Sequence, residues 1–422
     1  MAGTAAAEDG ADGRPIEWAV EMKQFPAERL MSARLAAGAV TEDDARRPGR
    51  RIAAWHADAE RTDAPADPVG WNRRILDAAL DALRQRLGSV GRRRVDALGR
   101  WAAGFLREHA DRFAARAEAG AYRLCHGDLN VDNLLWTPAG FRAFDALEFD
   151  DDLRRTDVAA DLAFAVTDLA ARGRVDLSRQ TLAAYLEASG DYEALDVLRF
   201  YFVGRAAVRA LVHELYPRDS AGRPSEPGSA EYLAEAEPFA EGDPPLLAIT
   251  HGVTAAGKTT AARRFAAETG AVWLRSDAER VRLPNLPQGW AEHRYSRRRT
   301  GPTYSRLRVL AGDALRDGWP VVVDAACLKE RQRRPFAELA ERTGAPFTIL
   351  DCDVSPIEAA ERITRRLSAD ADESEPTLAV LAEQLETAEP LTAAERPFTR
   401  PAAGRPAVAA PAAAGKGGRG RL

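Results

Sequence analysis

The segment Gly252-Val253-Thr254-Ala255-Ala256-Gly257-Lys258-Thr259, followed by Thr260, spells GxxxxGK[ST]. Glycines let a chain curl until successive amide N–H groups converge on one point. A lysine ammonium and a threonine hydroxyl at the end of such a turn add a point charge and a hard oxygen ligand. The chemistry this suits is the cradling of a polyphosphate, with Lys258 reaching the β and γ phosphates and Thr259 ligating Mg²⁺. The apolar run Leu246–Thr250 immediately before it predicts a strand, and a helix opens immediately after it. The helix N-terminus then faces the same anion. That context separates the segment from an ordinary glycine-containing turn.

Carboxylates at the ends of neighbouring strands extend this chemistry. Asp324 closes the strand VVVD, 65 residues beyond Thr259, where it could hold the Mg²⁺ shell or simply cap a turn. Asp277 and Arg280 follow the strand AVWLR. There a carboxylate could take the proton of an attacking hydroxyl and an arginine could orient the acceptor; the plainer alternative is a helix cap with a surface arginine. Arg362, Arg365 and Arg366 share one helical face and could close over transferring phosphates, or form a solvated face. Arg297, Arg298 and Arg299 make a short basic run that could meet an anionic substrate.

A second constellation lies earlier. Cys125-His126-Gly127-Asp128-Leu129-Asn130-Val131-Asp132-Asn133 has the form H-x-D-x-x-x-x-N, with Asp145 twelve residues after Asn133. Phosphoryl transfer can use such a set: Asp128 to take the acceptor proton, Asn133 and Asp145 to ligate Mg²⁺. His126 suits support better than proton transfer. Asp161 sits in an otherwise apolar helix, so it needs a partner, for which the loop backbone or His126 is a candidate.

The elements that must position these groups divide the chain. Its 422 residues predict two or three domains. Residues 1–15 are small and acidic and expected to be loose, with a half-buried strand at 16–22. Helical periodicity runs from about 28 to 120, and two short strands joined by TPAG follow near 133–144. Further helices fill the rest of a mostly helical domain over 16–216. Residues 217–245 are rich in proline, glycine and acid and are expected to be a linker region. From 246 to 395 short apolar strands alternate with helices, which predicts a doubly wound parallel sheet. Residues 396–422 are expected to be a disordered Ala/Gly/Pro-rich tail. The fold class is thus α/β with α+β.

Composition sets the partners. A net charge of −5 gives no global reason to expect nucleic acid or membrane binding. No apolar run approaches the ~18–20 residues of a membrane span, and the N-terminus carries no secretory pattern. Three scattered cysteines argue against a disulfide framework or zinc cluster and suit a cytoplasmic location. Only four of the 59 basic residues are lysines, so each retained lysine hints at a chemical requirement.

Both halves carry family resemblances. HGDLNVDN with FDALEFD resembles the C-terminal lobe of aminoglycoside phosphotransferase-like proteins, which share the protein-kinase-like fold. GVTAAGKT, RSDAER, YSRRRTGPTYSRL and VVVDAACLKERQR resemble P-loop kinase-type ATP-binding domains related to gluconate kinases, zeta toxins and polynucleotide kinases. The order of the halves is similar to bacterial fused aminoglycoside phosphotransferase/ATP-binding proteins. One departure concerns the first half. The phosphotransferase resemblance implies an N-terminal lobe with a phosphate-pairing lysine, but only about fifteen residues precede the first strand and Lys23 follows it. The first half is therefore expected to be a truncated lobe.

These observations predict an ATP-binding, Mg²⁺-dependent phosphotransferase with its main site in the second half, acting on a hydroxyl of a small molecule. Two rival expectations are a polynucleotide 5′-hydroxyl kinase, suggested by Arg297–Arg299 and the basic tail, and a nucleotide-gated binding module with a degenerate first lobe.

Overall fold

A computed structural model describes residues 4–9, 15–21, 24–137, 140–216, 227–242, 244–283, 297–367 and 377–402. The chain divides into two units, Met1–Gly242 and Asp243–Leu422. No helix among the described residues is long and apolar enough to cross a membrane.

The first unit opens with an antiparallel hairpin, β1 (Thr4–Asp9) and β2 (Pro15–Glu21). The N-terminus is thus not simply loose: the alternation seen at 16–22 finds a pairing partner in the small residues before it. Helices α1 (Met31–Ala36), α2 (Glu42–Asp58), α3 (Pro68–Arg86), α4 (Ser89–Glu108) and α5 (Ala110–Glu118) follow. Next come β3 (Tyr122–Leu124), the hairpin β4 (Leu134–Thr137) and β5 (Gly140–Ala143), the short α6 (Asp151–Arg154) and β6 (Arg155–Asp157). Helices α7 (Val158–Ala171), α8 (Val175–Ser189), α9 (Leu195–Leu215) and α10 (Ser229–Glu241) complete the unit. Every residue of α7 from Val158 to Ala170 is buried, so it forms the centre against which α8 and α9 pack.

The segment expected to be a linker contains part of this core. Helix α10 buries Tyr232, Leu233 and Ala236 against α9, and the Tyr232 hydroxyl donates to Asp168. The flanking prolines and glycines punctuate a packed helix here rather than mark a free connection.

A buried ion network ties α5 to the strand before α7. Arg116 grips Asp157 with two bonds of 2.6 and 2.7 Å and Asp191 with two of 2.9 and 3.0 Å. Burial works against the guanidinium charge, but Asp157 and then Asp191 more than offset it and hold Arg116 protonated. Arg116→Ala would leave the Asp157 carboxyl, 1% exposed, without its guanidinium partner. A loss of about 3–5 kcal/mol is expected, read as a lowered urea midpoint of the full chain. Arg116→Lys should recover only part of it, since one ammonium cannot serve two carboxylates in a fork.

The second unit is a five-stranded parallel sheet in the order β11-β10-β7-β9-β8. In chain order it comprises β7 (Leu247–His251), α11 (Lys258–Thr269), β8 (Val272–Arg275), α12 (Ser276–Arg282), α13 (Arg297–Arg316) and β9 (Val321–Asp324). Then follow α14 (Glu330–Thr343), β10 (Phe347–Asp351), α15 (Pro356–Leu367), α16 (Leu378–Thr387) and β11 (Thr399–Pro401). Strands β7 and β9 are apolar nearly throughout because helices cover both faces, with Ile249 and Val321–Val323 fully buried. The expected tail does not begin at 396. Thr399–Pro401 pairs with Ile349–Asp351 as an edge strand, where a proline is tolerated. Residues 403–422 lie outside the described part.

Candidate functional site

The phosphate-binding loop occupies the crevice that the sheet order creates. Strand β7 is central, with β9 beside it, and the turn from β7 into α11 emerges at the carboxyl ends of both. Gly252 has φ of +143°, and a Cβ there would sit 2.6 Å from the Cys352 carbonyl oxygen, so only glycine fits. Ala255 and Gly257 also take positive φ, 60° and 94°. These left-handed residues turn the loop back before α11 starts at Lys258.

The small residues of the motif pack its outer side. Ala255 lies against Ala359, Ile363 and Leu381, while Ala256 packs with Ala261 and Cys352, and Val253 contacts both groups. Helix α16 adds a polar contact: the Thr254 amide donates to Gln384 Oε1 at 2.6 Å. The Lys258 ammonium donates to the Val253 carbonyl at 2.7 Å. Burial lowers its pKa from the ordinary lysine range, with nearby Asp324 opposing the shift.

Asp324 ends β9 in register with Arg275 at the end of β8, and their side chains stand 3.8 Å apart. Burial raises the Asp324 carboxyl above the usual range. Arg275, Lys258 and a hydrogen bond from the Thr259 side chain oppose the shift. Thr259 and Asp324 thus meet as hard oxygen donors, a donor set that fits Mg²⁺.

A cleft of 860 Å³ lies over these strand ends. Gly257, Lys258, Thr259, Thr260, Thr254, Ala255 and Asp324 line it, and so do Asp277 and Arg280 of α12. Asp277 is exposed, and Arg280 is 6% exposed. The sequence-predicted base, orienting arginine, loop and metal carboxylate therefore share one cavity.

Of the arginines expected to form a lid, the two whose side chains are described, Arg362 and Arg365, do not line it. Arg362 donates to the Ala255 carbonyl at 2.9 Å and to Glu358 at 2.6 Å, bracing the loop without lining the cleft. Arg365 is exposed and likewise absent from the cleft wall. The side chains of Arg366 and of Arg297–Arg299 lie outside the described residues. The spacing of Arg362, Arg365 and Arg366 identified a common face but not what that face meets.

Other lining residues escaped sequence reasoning: Arg275, Tyr304, Arg308 and Lys329. Lys329 carried a signal, being one of four lysines in an arginine-rich chain. Tyr304 carried none; its hydroxyl accepts the Cys327 amide at 2.9 Å, an arrangement set by the packing of α13.

In the first unit, Asp128 and Asn133 are joined. The Asn133 side-chain NH₂ donates to the Asp128 carboxylate at 3.1 Å and to its carbonyl at 2.9 Å, so its Oδ1 takes no part in these two bonds. Asp145 follows β5 with φ of +62°, and the Phe144 amide donates to the Asn133 carbonyl at 3.1 Å. The hairpin register thus brings Asn133 and Asp145 to the same open end.

Buried carboxylates shape this loop. Asp161 accepts from the Gly127 amide at 2.8 Å and the His126 amide at 3.4 Å, and pairs with His56 at 3.1 Å. Burial alone would raise its pKa, but the His56 hydrogen bond and charge, His126 and the Gly127 amide bring it below the usual range. His126 Nε2 donates to the Phe144 carbonyl at 2.9 Å. Asp168, fully buried, accepts the Val131 amide at 2.9 Å. Sequence reasoning missed Asp168, although it lies in the same apolar helix as Asp161 and pairs with Arg172 one turn further on as well as with Tyr232 of α10.

Comparison with known proteins agrees with this division. Residues 20–201 match the model of the phosphotransferase enzyme family, and residues 247–391 match that of an AAA domain. The uncharacterized proteins Rv2004c of Mycobacterium tuberculosis (strain ATCC 25618 / H37Rv) and Mb2027c of Mycobacterium bovis are each 30% identical over 277 residues. Each match covers 64% of this chain and 55% of the relative, so the chain spans about half the length of those relatives. Among solved structures, a putative kinase from Chloroflexus aurantiacus is 24% identical, with TM-score 0.29, over 34% of this chain and 75% of that one. A gluconokinase from Sinorhizobium meliloti 1021 is 20% identical, with TM-score 0.27, over 38% of this chain and 82% of that one. The chain thus joins a stretch similar to the phosphotransferase enzyme family, residues 20–201, to a stretch similar to an AAA domain, residues 247–391.

Proposed function

We propose that the second unit binds ATP on the 252–259 loop and transfers its γ-phosphoryl group to a hydroxyl of a small molecule. The observation that carries this is the meeting of Lys258, Thr259, Asp324 and Asp277 in one cleft at the sheet's carboxyl edge. Thr259 and Asp324 would hold Mg²⁺, which would neutralise phosphate charge and orient the transferring group. The loop amides and Lys258 bind the phosphates. Asp277 accepts the proton as the acceptor oxygen bonds to the γ-phosphorus and the bond to the β–γ bridging oxygen breaks, releasing ADP. Arg280 orients the acceptor.

Incubating the full chain with γ-labelled ATP, Mg²⁺ and a pool of small metabolites tests the reading. Label in a small organic product is the expected result. Label found only in inorganic phosphate would favour a nucleotide-gated module, and label on oligonucleotide 5′ ends would favour a polynucleotide kinase. Asp277→Asn should then lower the transfer rate about 10²–10⁴-fold while nucleotide affinity, measured by equilibrium titration, stays unchanged.

The first unit retains an acceptor carboxylate and metal-type oxygens in Asp128, Asn133 and Asp145. We infer that these give it a phosphotransferase-type binding surface, with ATP turnover assigned to the second unit.

A further inference from the structure

Three side chains of different chemistry meet behind the H-x-D-x-x-x-x-N loop of the first unit. His56 in the last turn of α2, Cys125 just after β3 and Asp161 of α7 each offer one ligand atom, and these atoms all lie within 4.8 Å of one another. All three residues are buried. Among the described residues no other group of three or more histidine, cysteine and carboxylate side chains comes close enough to share an ion.

Outer partners orient two of the donors. The Tyr185 hydroxyl of α8 bonds His56 Nδ1 at 3.0 Å, which fixes the ring with Nε2 3.1 Å from Asp161 Oδ2. The Gly127 amide donates to Asp161 Oδ1 at 2.8 Å, and the more distant His126 amide reaches Oδ2 at 3.4 Å. Such outer bonds hold imidazole and carboxylate in place for a metal. A nitrogen and an oxygen each about 2.0–2.1 Å from one zinc ion stand roughly 3.3 Å apart at a tetrahedral angle, so this pair admits the ion with little movement. The thiol is the poorly served member, with the Thr156 carbonyl 3.7 Å from Sγ. Burial and then the Asp161 charge raise its pKa well above the usual thiol range, a shift that a bound cation reverses. Arg205, whose charge also acts on Asp161 and Cys125, is engaged by the Ala160 carbonyl and the Phe164 ring.

We propose that His56, Cys125 and Asp161 bind a zinc ion that ties α2 and α7 to the base of the loop carrying Asp128. Thiolate beside imidazole selects zinc over Mg²⁺ or Ca²⁺, which take oxygen. Three protein ligands leave the fourth position to water. One cysteine suffices, so no CxxC spacing is needed. The ion takes the place of the Nε2 proton, which moves to Nδ1 as the Tyr185 hydroxyl turns to accept it, and the thiol proton passes to solvent. Two positive charges then meet thiolate and carboxylate, and the buried site is neutral. Because His126 and Gly127 follow Cys125 directly and their amides bond Asp161, the ion holds the loop from behind.

The test uses the full chain, stripped with a chelator, in excess Mg²⁺ to keep hard-oxygen sites filled. It is titrated with Zn²⁺ and, separately, with Co²⁺ as a spectroscopic stand-in. Saturation at one ion per chain is expected, with a thiolate-to-cobalt charge-transfer band in the near ultraviolet. Cys125→Ser is nearly isosteric, should keep the fold by circular dichroism, and should lose the band. His56→Gln should weaken cobalt binding by more than about 10-fold, the least that loss of even an outer partner costs. No saturable binding, or binding without the thiolate band, would overturn the proposal. A band that persists in Cys125→Ser would also overturn it, since Cys327 or Cys352 would then be the ligand, as would unchanged affinity in His56→Gln.

Discussion

Lys258→Ala is expected to weaken ATP binding at least about 100-fold. The half-buried Lys258 side chain donates to the Val253 carbonyl at 2.7 Å, one residue from where the loop turns. Burial already lowers its pKa although Asp324 opposes the shift, and an anion in the cleft would offset more of that cost. Two charge-assisted hydrogen bonds to phosphate oxygens contribute about 1.5–3 kcal/mol each, and roughly 1.4 kcal/mol corresponds to tenfold in affinity. Alanine removes both while leaving the amides of residues 255–259 in place. Lys258→Arg should not restore binding, because a planar fork replaces a compact ammonium in a loop packed on both sides. Equilibrium titration with a fluorescent ATP analogue measures the effect. Unchanged affinity in a folded variant would remove the nucleotide assignment and with it the proposed function.

The parts of this site legible in the sequence were those fixed by local geometry. A glycine-bounded turn between an apolar strand and a helix can be recognised without knowing the rest of the fold, and so can a carboxylate closing VVVD. The H-x-D-x-x-x-x-N loop was legible for the same reason: Asp128 and Asn133 are five residues apart and bond to each other. What could not be read depends on partners distant in sequence. Thr399–Pro401 has no strand signature, and it becomes a strand only because β10 offers an open edge. Helix α10 was hidden by flanking prolines and glycines, although Tyr232, Leu233 and Ala236 form its buried face. Arg362 shares a helical face with Arg365, yet its bond to Ala255 comes from the docking of α15 against the loop. Gln384 and Tyr304 reach the site in the same way, through packing that no spacing rule encodes.

Asp324→Asn is expected to separate stability from activity. Burial raises the Asp324 carboxyl despite Arg275, Lys258 and the Thr259 hydroxyl, so ionising it costs more in the folded chain than in the unfolded one. Below the ordinary carboxylate range, near pH 4, both states are protonated and the cost is absent. As pH climbs through the raised folded value, the native carboxylate ionises and the full penalty is in place by neutrality. The nucleotide-free Asp324→Asn chain should therefore melt above the natural one at pH 7, and the gap should close as the pH falls towards 4. Added Mg²⁺ and ATP analogue should reverse the order, because a cation at Asp324 stabilises only the carboxylate form. Transfer should drop on the order of 10²–10³-fold, as for loss of one preorganised electrostatic contact. A variant that melts lower at neutral pH, or that gains as much from Mg²⁺ and the analogue as the natural chain does, would show that Asp324 is held by Arg275 for structure rather than kept for a metal ion.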